Sequence, residues 1–512
     1  MSFRTRLVAV ILVAVLAIGI IYVGNSNNKQ EEADKEQSYY QTETVYLWYS
    51  DDTYTDFFTN AVVAFHEQYP EIRVIPTLVD SAEYIEGINK ASLSGEDYPD
   101  IYMLTNDSLE KAYLAGLASK AKDVSYVLDS NHFSSSALSA VTYQGSYVAY
   151  PFTFDTTVLF YNKTLIQDWV DRVNSGEVTE DDTSFMDDEG NVYVNDEDPD
   201  AEVSGDVIVS DYIPESFDDI KNFADEYEAG DGVESVFKWD VSDAFFNYLF
   251  VGNYMIVGGD AGDDLENIDI YNDNTVQCVT TYQGLRDTFS IDMDETDYET
   301  TLQDVIDGKQ IFTIVTSDAI AKVNEVLAER EEDASSADSG TADSGTADSE
   351  VSEDASESES TDTAEAADTE STETDETEAV TDYEYGFSLI PNVSDSLDSR
   401  SLSVTNVLVI NGYSEKKSAA NKFAAFVTTN YADQIYQRTG KLSASYNAKY
   451  TDEAALTFQE EYSTSIPLPK LVEASNLWVQ LEITFMDIWG GEDAATRLKS
   501  FADQIQSQLV AE

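Results

Sequence analysis

This chain has almost no cysteine, almost no histidine and few bases, and each shortage closes off a class of function. Cys278 is its one cysteine in 512 residues. No disulfide can form within the chain, and no catalytic-cysteine signature surrounds Cys278, which reads as a small buried apolar residue. The two histidines, His66 and His132, are widely separated, which excludes a cysteine- or histidine-built metal site and a histidine-rich catalytic centre. Lysine and arginine number 27 against 100 aspartates and glutamates, a formal net charge of -73. Nucleic acid is excluded as a partner because phosphate binding needs a basic face. Sulfated or phosphorylated ligands are disfavoured by the same field. Carboxylates alone could take calcium, for instance around "DDEGNVYVNDEDPD" (187–200). That stretch lacks the EF-hand spacing, and a solvated acidic loop is the simpler reading. Neither metal nor cofactor is expected.

What the chain does have is length and aromatic rings: 32 Tyr, 23 Phe and 5 Trp. A chain this long outgrows a single core, so two or more domains are expected. At the N-terminus Arg4 and Arg6 precede an apolar run, Leu7 to Val23, roughly 25 Å long as a helix and at the lower limit for crossing a bilayer. Bases before it and acids after it place the body outside the cell. A cleaved signal peptide and a retained anchor both fit. With no small-x-small cleavage site and no lipid-accepting cysteine after the run, a retained anchor over 1–24 and a flexible tether over 25–43 are preferred.

From Thr44 a strand–helix alternation begins. "TVYLWYS" (44–50) is a strand, and "YTDFFTNAVVAFHEQYP" (54–70) carries Phe57, Phe58, Val62 and Phe65 at helical spacing. "EIRVIPTLV" and "PDIYMLT" continue the strands, with helices between and after them. Such alternation implies a parallel-type α/β sheet covered on both faces. An acidic insertion follows at about 176–211, then a helix from 214 opened by a Ser216–Asp219 capping box. Residues 331–382 hold 20 acids and no base, with "DSGTA" at 338–342 and again at 343–347. This segment is expected to be a disordered linker. Alternation resumes at 383, and helical patterns close the chain.

Several stretches resemble one family. "YPDIYMLTND…AYLAGLASKAKD" (98–123), "YQGSYVAYPFTFDTTVLFYNKTLI" (143–166), "IPESFDDIKNFADE" (213–226) and "ETTLQDVIDGKQIFTIVTSDA" (299–319) are similar, in order, to segments of bacterial extracellular solute-binding proteins of the maltose-binding class. The resemblance covers about 44–330 and 383–512. It implies a two-lobed α/β periplasmic-binding-protein fold (type II) that closes by a hinge on a small molecule. The lobes implied are non-contiguous: 44–153 with 404–450, and 154–330 with 383–403 and 451–512. The function implied is the substrate-binding component of an ABC importer, outside the membrane, a monomer with a carbohydrate ligand and permease partners.

Site residues follow from the same resemblance. Asp155, the lone acid of "VAYPFTFDTTVLFYNK" (148–163), stands where the family places an acidic sugar contact. A turn cap or a pairing with Lys163 would also account for it. Trp48, Asp51 and Asp52 fall on the loop that lines the family's cleft, although Trp48 could equally be core. Asn106 and Asp107 follow the third strand, with helix capping the rival explanation for Asp107. Asp243 and Phe245, near Trp239, resemble the second lobe's acid and aromatic. Trp478 resembles a late stacking tryptophan, with helix packing as its alternative. Carboxylates suit sugar hydroxyls, and rings suit their C–H faces. Leu104 and Asp318 stand where the maltose-binding pattern has tryptophans, so a smaller sugar, or a chain gripped differently, fits as well as maltodextrin. A tethered ligand sensor would need the same cleft. A glycoside-processing enzyme would need two carboxylates at a set separation, and no motif indicates that, so the chain is read as a binding protein.

Overall fold

The computed structural model describes residues 43–510 apart from 96, 123–125, 231, 339–382, 473–475 and most of 177–206, where only 185–186 and 192–193 are placed. The expected anchor, nearly all of the tether, most of the 176–211 insertion and most of the 331–382 linker lie outside the described residues. Among the described residues no helix is long and apolar enough to cross a membrane.

Two sheets organise the rest. In the first, β1 (Glu43–Tyr49) pairs in parallel with β2 (Ile72–Leu78) on one side and β3 (Ile101–Thr105) on the other. β1 alternates in burial, with Val45, Leu47 and Tyr49 inside, the period-two pattern of a strand with two unlike faces. β2 contains Pro76 and lies at the sheet edge, where a missing N–H costs no ladder bond. Helix α1 (Thr55–Gln68) buries Phe57, Phe58, Ala61 and Phe65 against one face of this sheet. α2 (Tyr84–Ser94) and α3 (Leu109–Leu114) bury Ile88, Leu109 and Ala112 against the other. After the short α4 (Ser135–Ala140), strand β4 (Ala149–Thr156) joins the sheet and runs directly into β5 (Val158–Asn162), which belongs to the second.

The second sheet has the order β6 (Ser235–Phe237), β7 (Gln310–Val315), β5, β8 (Tyr385–Ser388). Around it lie α5 (Lys163–Ser175), α6 (Phe217–Glu226), α7 (Ala244–Val251), α8 (Asp273–Phe289), α9 (Tyr298–Ile306) and α10 (Asp318–Asp338). The capping box expected for α6 is present: Ser216 Oγ accepts from the Asp219 N–H, and the Asp219 carboxylate accepts from the Ser216 N–H. Cys278 is buried in α8, and burial pushes its thiol up to about 12, so it packs as an apolar residue. The chain then returns to the first sheet as β9 (Leu402–Ile410), which lies between β3 and β4 and is antiparallel to both. β10 (Leu442–Ser443) and β11 (Ile466–Pro467) are short additions. Helices α11 (Lys417–Ala425), α12 (Asp433–Thr439), α13 (Glu453–Thr464), α14 (Leu477–Trp489) and α15 (Ala494–Val510) complete the fold.

Two expectations change here. The sheets are mixed, because β9 enters the first sheet from the side of the second, and β5 in the second pairs antiparallel with both neighbours. The linker expected from residue 331 is helical as far as 338, as the end of α10. Once Ile320 and Val323 have packed, adding a helical residue requires one more bond and no new nucleus.

Helix α13 ties the sheets together. Tyr462 stacks on Phe154 of β4 at 3.9 Å and 8°, and Phe458 meets Phe387 of β8 at 6.1 Å. Glu461 is buried beside them. Its carboxylate accepts from Ser401 Oγ at 2.6 Å and from the Ile390 N–H at 3.2 Å, gripping both ends of the segment that links β8 to β9. The β4–β5 crossing lies alongside, and Thr156 Oγ1 donates to the Leu402 carbonyl at 2.8 Å.

Candidate functional site

Because β2 and β3 flank β1 on opposite sides, the chain diverges at the carboxyl ends of β1 and β3. Open α/β sheets place their ligand crevice at such a point. A cavity of about 400 Å³ lies there, lined by Ser50 and Asp51 after β1, Thr105 and Ser108 after β3, the Glu83–Tyr84 turn, and Asn406 of β9.

Register explains how Asn406 reaches it. Asn406 is opposite Thr105 on β3 and Thr153 on β4, and the β9–β4 register shifts between Asn406 and Val407. A polar row therefore crosses three strands at one level. Asn406 Nδ2 donates to Thr153 Oγ1 at 3.1 Å, and Thr153 Oγ1 shares a 2.8 Å bond with the Tyr54 hydroxyl. Burial, the largest influence, raises the Tyr54 hydroxyl well above its ordinary value, and the charges of Asp51 and Asp155 act in the same direction. It stays neutral and keeps its proton to donate. Glu83 holds a left-handed backbone, φ +53°, an unfavourable state for a side chain with a Cβ, at the cavity wall.

The nine sequence-predicted residues divide into three groups. Asp51 lines the cavity, and its Oδ1 accepts from the Thr53 N–H at 2.9 Å, while Asp52 is exposed beside it. Trp48 is half-buried against the core on the α2 face of the first sheet. After β3, Asp107 accepts from Thr105 Oγ1 at 2.5 Å. Asn106 is fully buried: its Nδ2 donates to the Leu468 carbonyl at 2.8 Å and its Oδ1 accepts from the Thr405 N–H at 3.0 Å. Asn106 is thus engaged on both sides within the protein.

A second group gathers on α7 and α14. Asp243 caps α7, accepting from the Phe245 N–H at 2.7 Å, and desolvation raises its carboxyl above the usual value. Phe245 is half-buried one residue into the helix. Trp478, in the first turn of α14, lies 5.8 Å from Tyr248 of α7 in a tilted pair. Trp239, expected beside Asp243 and Phe245, is fully buried, with Nε1 donating to Asn247 Oδ1 at 2.9 Å, and is a core residue.

Asp155 stands by itself. It is half-buried near the end of β4, and its Oδ1 accepts from the Ser317 N–H at 3.0 Å and from the next residue's N–H at 3.0 Å. Ser317 precedes α10 in the second sheet's half, so Asp155 ties one sheet to the other at the crossing. Burial raises its pKa above the usual value, and the Ser317 hydrogen bonds oppose that shift. Asp318, at the start of α10, accepts from the Tyr298 hydroxyl at 2.8 Å.

Sequence reasoning missed Thr105, Thr153, Asn406, Glu83 and Tyr84. For Thr105 the available signal was a polar residue ending an otherwise apolar strand, "IYMLT", whereas Thr153 and Asn406 lie in mid-strand and carry no such mark. Among the described residues no group of histidine, cysteine, aspartate and glutamate is arranged to hold a metal ion, and no lysine or arginine lines the cavity. The site offers hydroxyls, an amide and carboxylates, which suit a neutral, hydroxyl-rich ligand.

Comparison with known proteins gives a family and a fold. Residues 60–457 match a family model described as bacterial extracellular solute-binding protein. No curated protein matches the chain. Among solved structures, the chain resembles an extracellular solute-binding protein from Staphylococcus aureus in complex with maltose. The TM-score is 0.66 and the identity 15%, over 94% of this chain and 99% of that one. A maltose-binding periplasmic protein from Listeria monocytogenes, also with maltose, gives 0.63 and 16%, over 92% and 99%. A Streptococcus pneumoniae protein in complex with maltopentaose gives 0.56 and 16%, over 90% and 99%. At these identities the likeness establishes the two-lobed fold.

Proposed function

This chain belongs to the family of bacterial extracellular solute-binding proteins, and from that premise we propose that it binds a neutral sugar or oligosaccharide between its lobes. It then delivers that sugar to the permease subunits of an ABC importer. The observation that carries the reading is the cavity at the ends of β1 and β3, walled by Asp51, Thr105 and Asn406 with no lysine or arginine. Sugar hydroxyls can donate to the carboxylate and exchange bonds with the amide and the threonine hydroxyl. Asp243, Phe245 and Trp478 form the second lobe's contribution, an acid beside rings that suit C–H faces. Asp155 is assigned to the hinge through its bond to the Ser317 N–H, and Asn106 to the internal packing of the first lobe. Maltose and maltopentaose occur in the neighbours' structures, which makes α-glucosides the first ligands to try. Leu104, a wall residue of the cavity, leaves no ring platform at that position, so short sugars are included. The N-terminal segment 1–24 holds the protein at the outer face of the membrane in this proposal.

The test is a thermal-shift series with glucose, maltose and maltotriose, since a ligand bound only by the native state raises the melting temperature. At least one neutral sugar should raise it, and Asn406→Ala should abolish that rise. If no neutral sugar shifts the melt, or if an oligosaccharide is cleaved on incubation, the proposal is wrong.

A further inference from the structure

The segment from Ile466 to Val472 runs between the two halves and is held by both. On the first-sheet side, the Leu468 N–H donates to the Ser403 carbonyl at 3.0 Å, and the Leu468 carbonyl accepts from Asn106. The Val472 N–H donates to Glu110 of α3 at 2.6 Å. On the other side is the turn between Ile256–Val257 and Ile268–Asp269, a two-residue antiparallel ladder that packs on the second-sheet core through Val257. Its Gly262 carbonyl accepts from the Lys470 N–H at 2.7 Å. The two backbones are so close here that a Cβ on Gly262, at φ +65°, would lie 2.8 Å from Pro469 Cα. The same turn reaches the first half directly, since the Asp263 carboxylate accepts from the Gln144 N–H at 2.6 Å. Gln144 and Gly145, both at positive φ, form the tip of the Thr142–Tyr147 hairpin.

Lys470 sits at the centre of this junction, 1% exposed. Its Nζ donates to the Ser139 carbonyl near the end of α4 at 3.0 Å, and to the Ala261 carbonyl of the turn. These two described partners are main-chain carbonyls, one on each side. The charged groups around it lie further off: Asp263 on the turn, Glu110 on α3 and Asp107 after β3. Tyr143 of the hairpin also packs here, donating to Glu110 at 2.9 Å. α4 contributes no charged residue.

We infer that Lys470 is the titratable pin of a clasp between the two halves: as an ammonium it favours release of the 258–264 turn into water, and as a neutral amine it favours docking. Dipoles of two carbonyls replace only part of the hydration an ammonium loses on burial. The three carboxylates restore some of that loss, but burial dominates and lowers the pKa to about 8. Any hinge motion that moves the halves relative to each other must make or break the Lys470, Asp263 and Gly262 bonds together.

Hydrogen–deuterium exchange on the ligand-free full chain tests this without any sugar, so its outcome is separate from that of the proposed function. The peptides to follow contain the Lys470 and Gln144 amides. Between about pH 7 and about pH 9.5, protection corrected for intrinsic rate should rise about tenfold or more in these peptides. Lys470→Met should be protected to the same degree at both values, and Lys470→Arg should remain weakly protected at both, because arginine keeps its charge. Flat protection in the wild type, or an equal rise in Lys470→Met, overturns the inference. Should Lys470→Met fail to fold, the wild-type series decides alone.

Discussion

Asp155 and Thr157 sit two residues apart at the β4–β5 crossing and carry opposite kinds of burden. Burial raises the Asp155 pKa above its unfolded value of 3.8. The folded state therefore holds the proton to higher pH than the unfolded state, and stability from this group falls as pH rises through the interval above 3.8. Asp155→Asn can keep an oxygen for the Ser317 N–H without the charge. It should melt at or above the wild-type temperature near neutrality, and the difference should vanish as pH falls toward 3.8. A variant that melts lower at neutral pH contradicts this account. Thr157 is fully buried with no described partner for its hydroxyl. Thr157→Val removes an unsatisfied group at constant shape, and denaturant unfolding should show a gain of about 1 kcal/mol. Residues of this kind show how far the sequence can be read. Asp51 was legible because it directly follows a recognisable strand. Asn406 was not, because its place beside Thr105 and Thr153 depends on a pairing between segments some three hundred residues apart, which no local pattern encodes.

At the scale of elements, those with a strong local period were readable: α1 from its phenylalanines, α6 from its capping box, β1 from its alternation. Ile466–Val472 has no period, and its conformation is imposed by Asn106, Glu110 and Gly262 from elsewhere in the chain. Its energetics can still be predicted. Lys470 falls from 10.5 to about 8 on folding, so between those values the unfolded chain binds more protons than the folded one. The Lys470 contribution to stability should therefore rise with pH across that window, by roughly 3 kcal/mol in total. Cys278 and the buried tyrosines, raised on folding, act in the opposite direction above about pH 9. The rise is therefore read in chemical denaturation as the change with pH in the difference between wild type and Lys470→Met. A neighbouring element gives a simpler test. Asp243 caps α7 through the Phe245 N–H, and Asp243→Ala should cost about 1 kcal/mol from the lost cap, measured in the absence of ligand.

For the whole molecule, a charge of -73 works against compaction by self-repulsion. Adding sodium chloride shortens the screening length from about 10 Å at 0.1 M to about 3 Å at 1 M. The melting temperature should climb across that range, while affinity for a neutral sugar should change little. A melt insensitive to salt would show that the acids are already locally compensated. The two-lobed architecture was legible in the order of the motifs, but the mixed sheets were not, because strand direction depends on where β9 re-enters. That re-entry also governs how the chain can be built. The first sheet has its β1, β2, β3 and β4 by residue 156, yet the strand that fits between β3 and β4 is not made until residue 410. A ribosome must therefore produce most of the polypeptide while the earlier half keeps two apolar strand edges waiting. Pairings this distant in the chain are the slow and aggregation-exposed kind, and here they cannot close before the missing middle arrives.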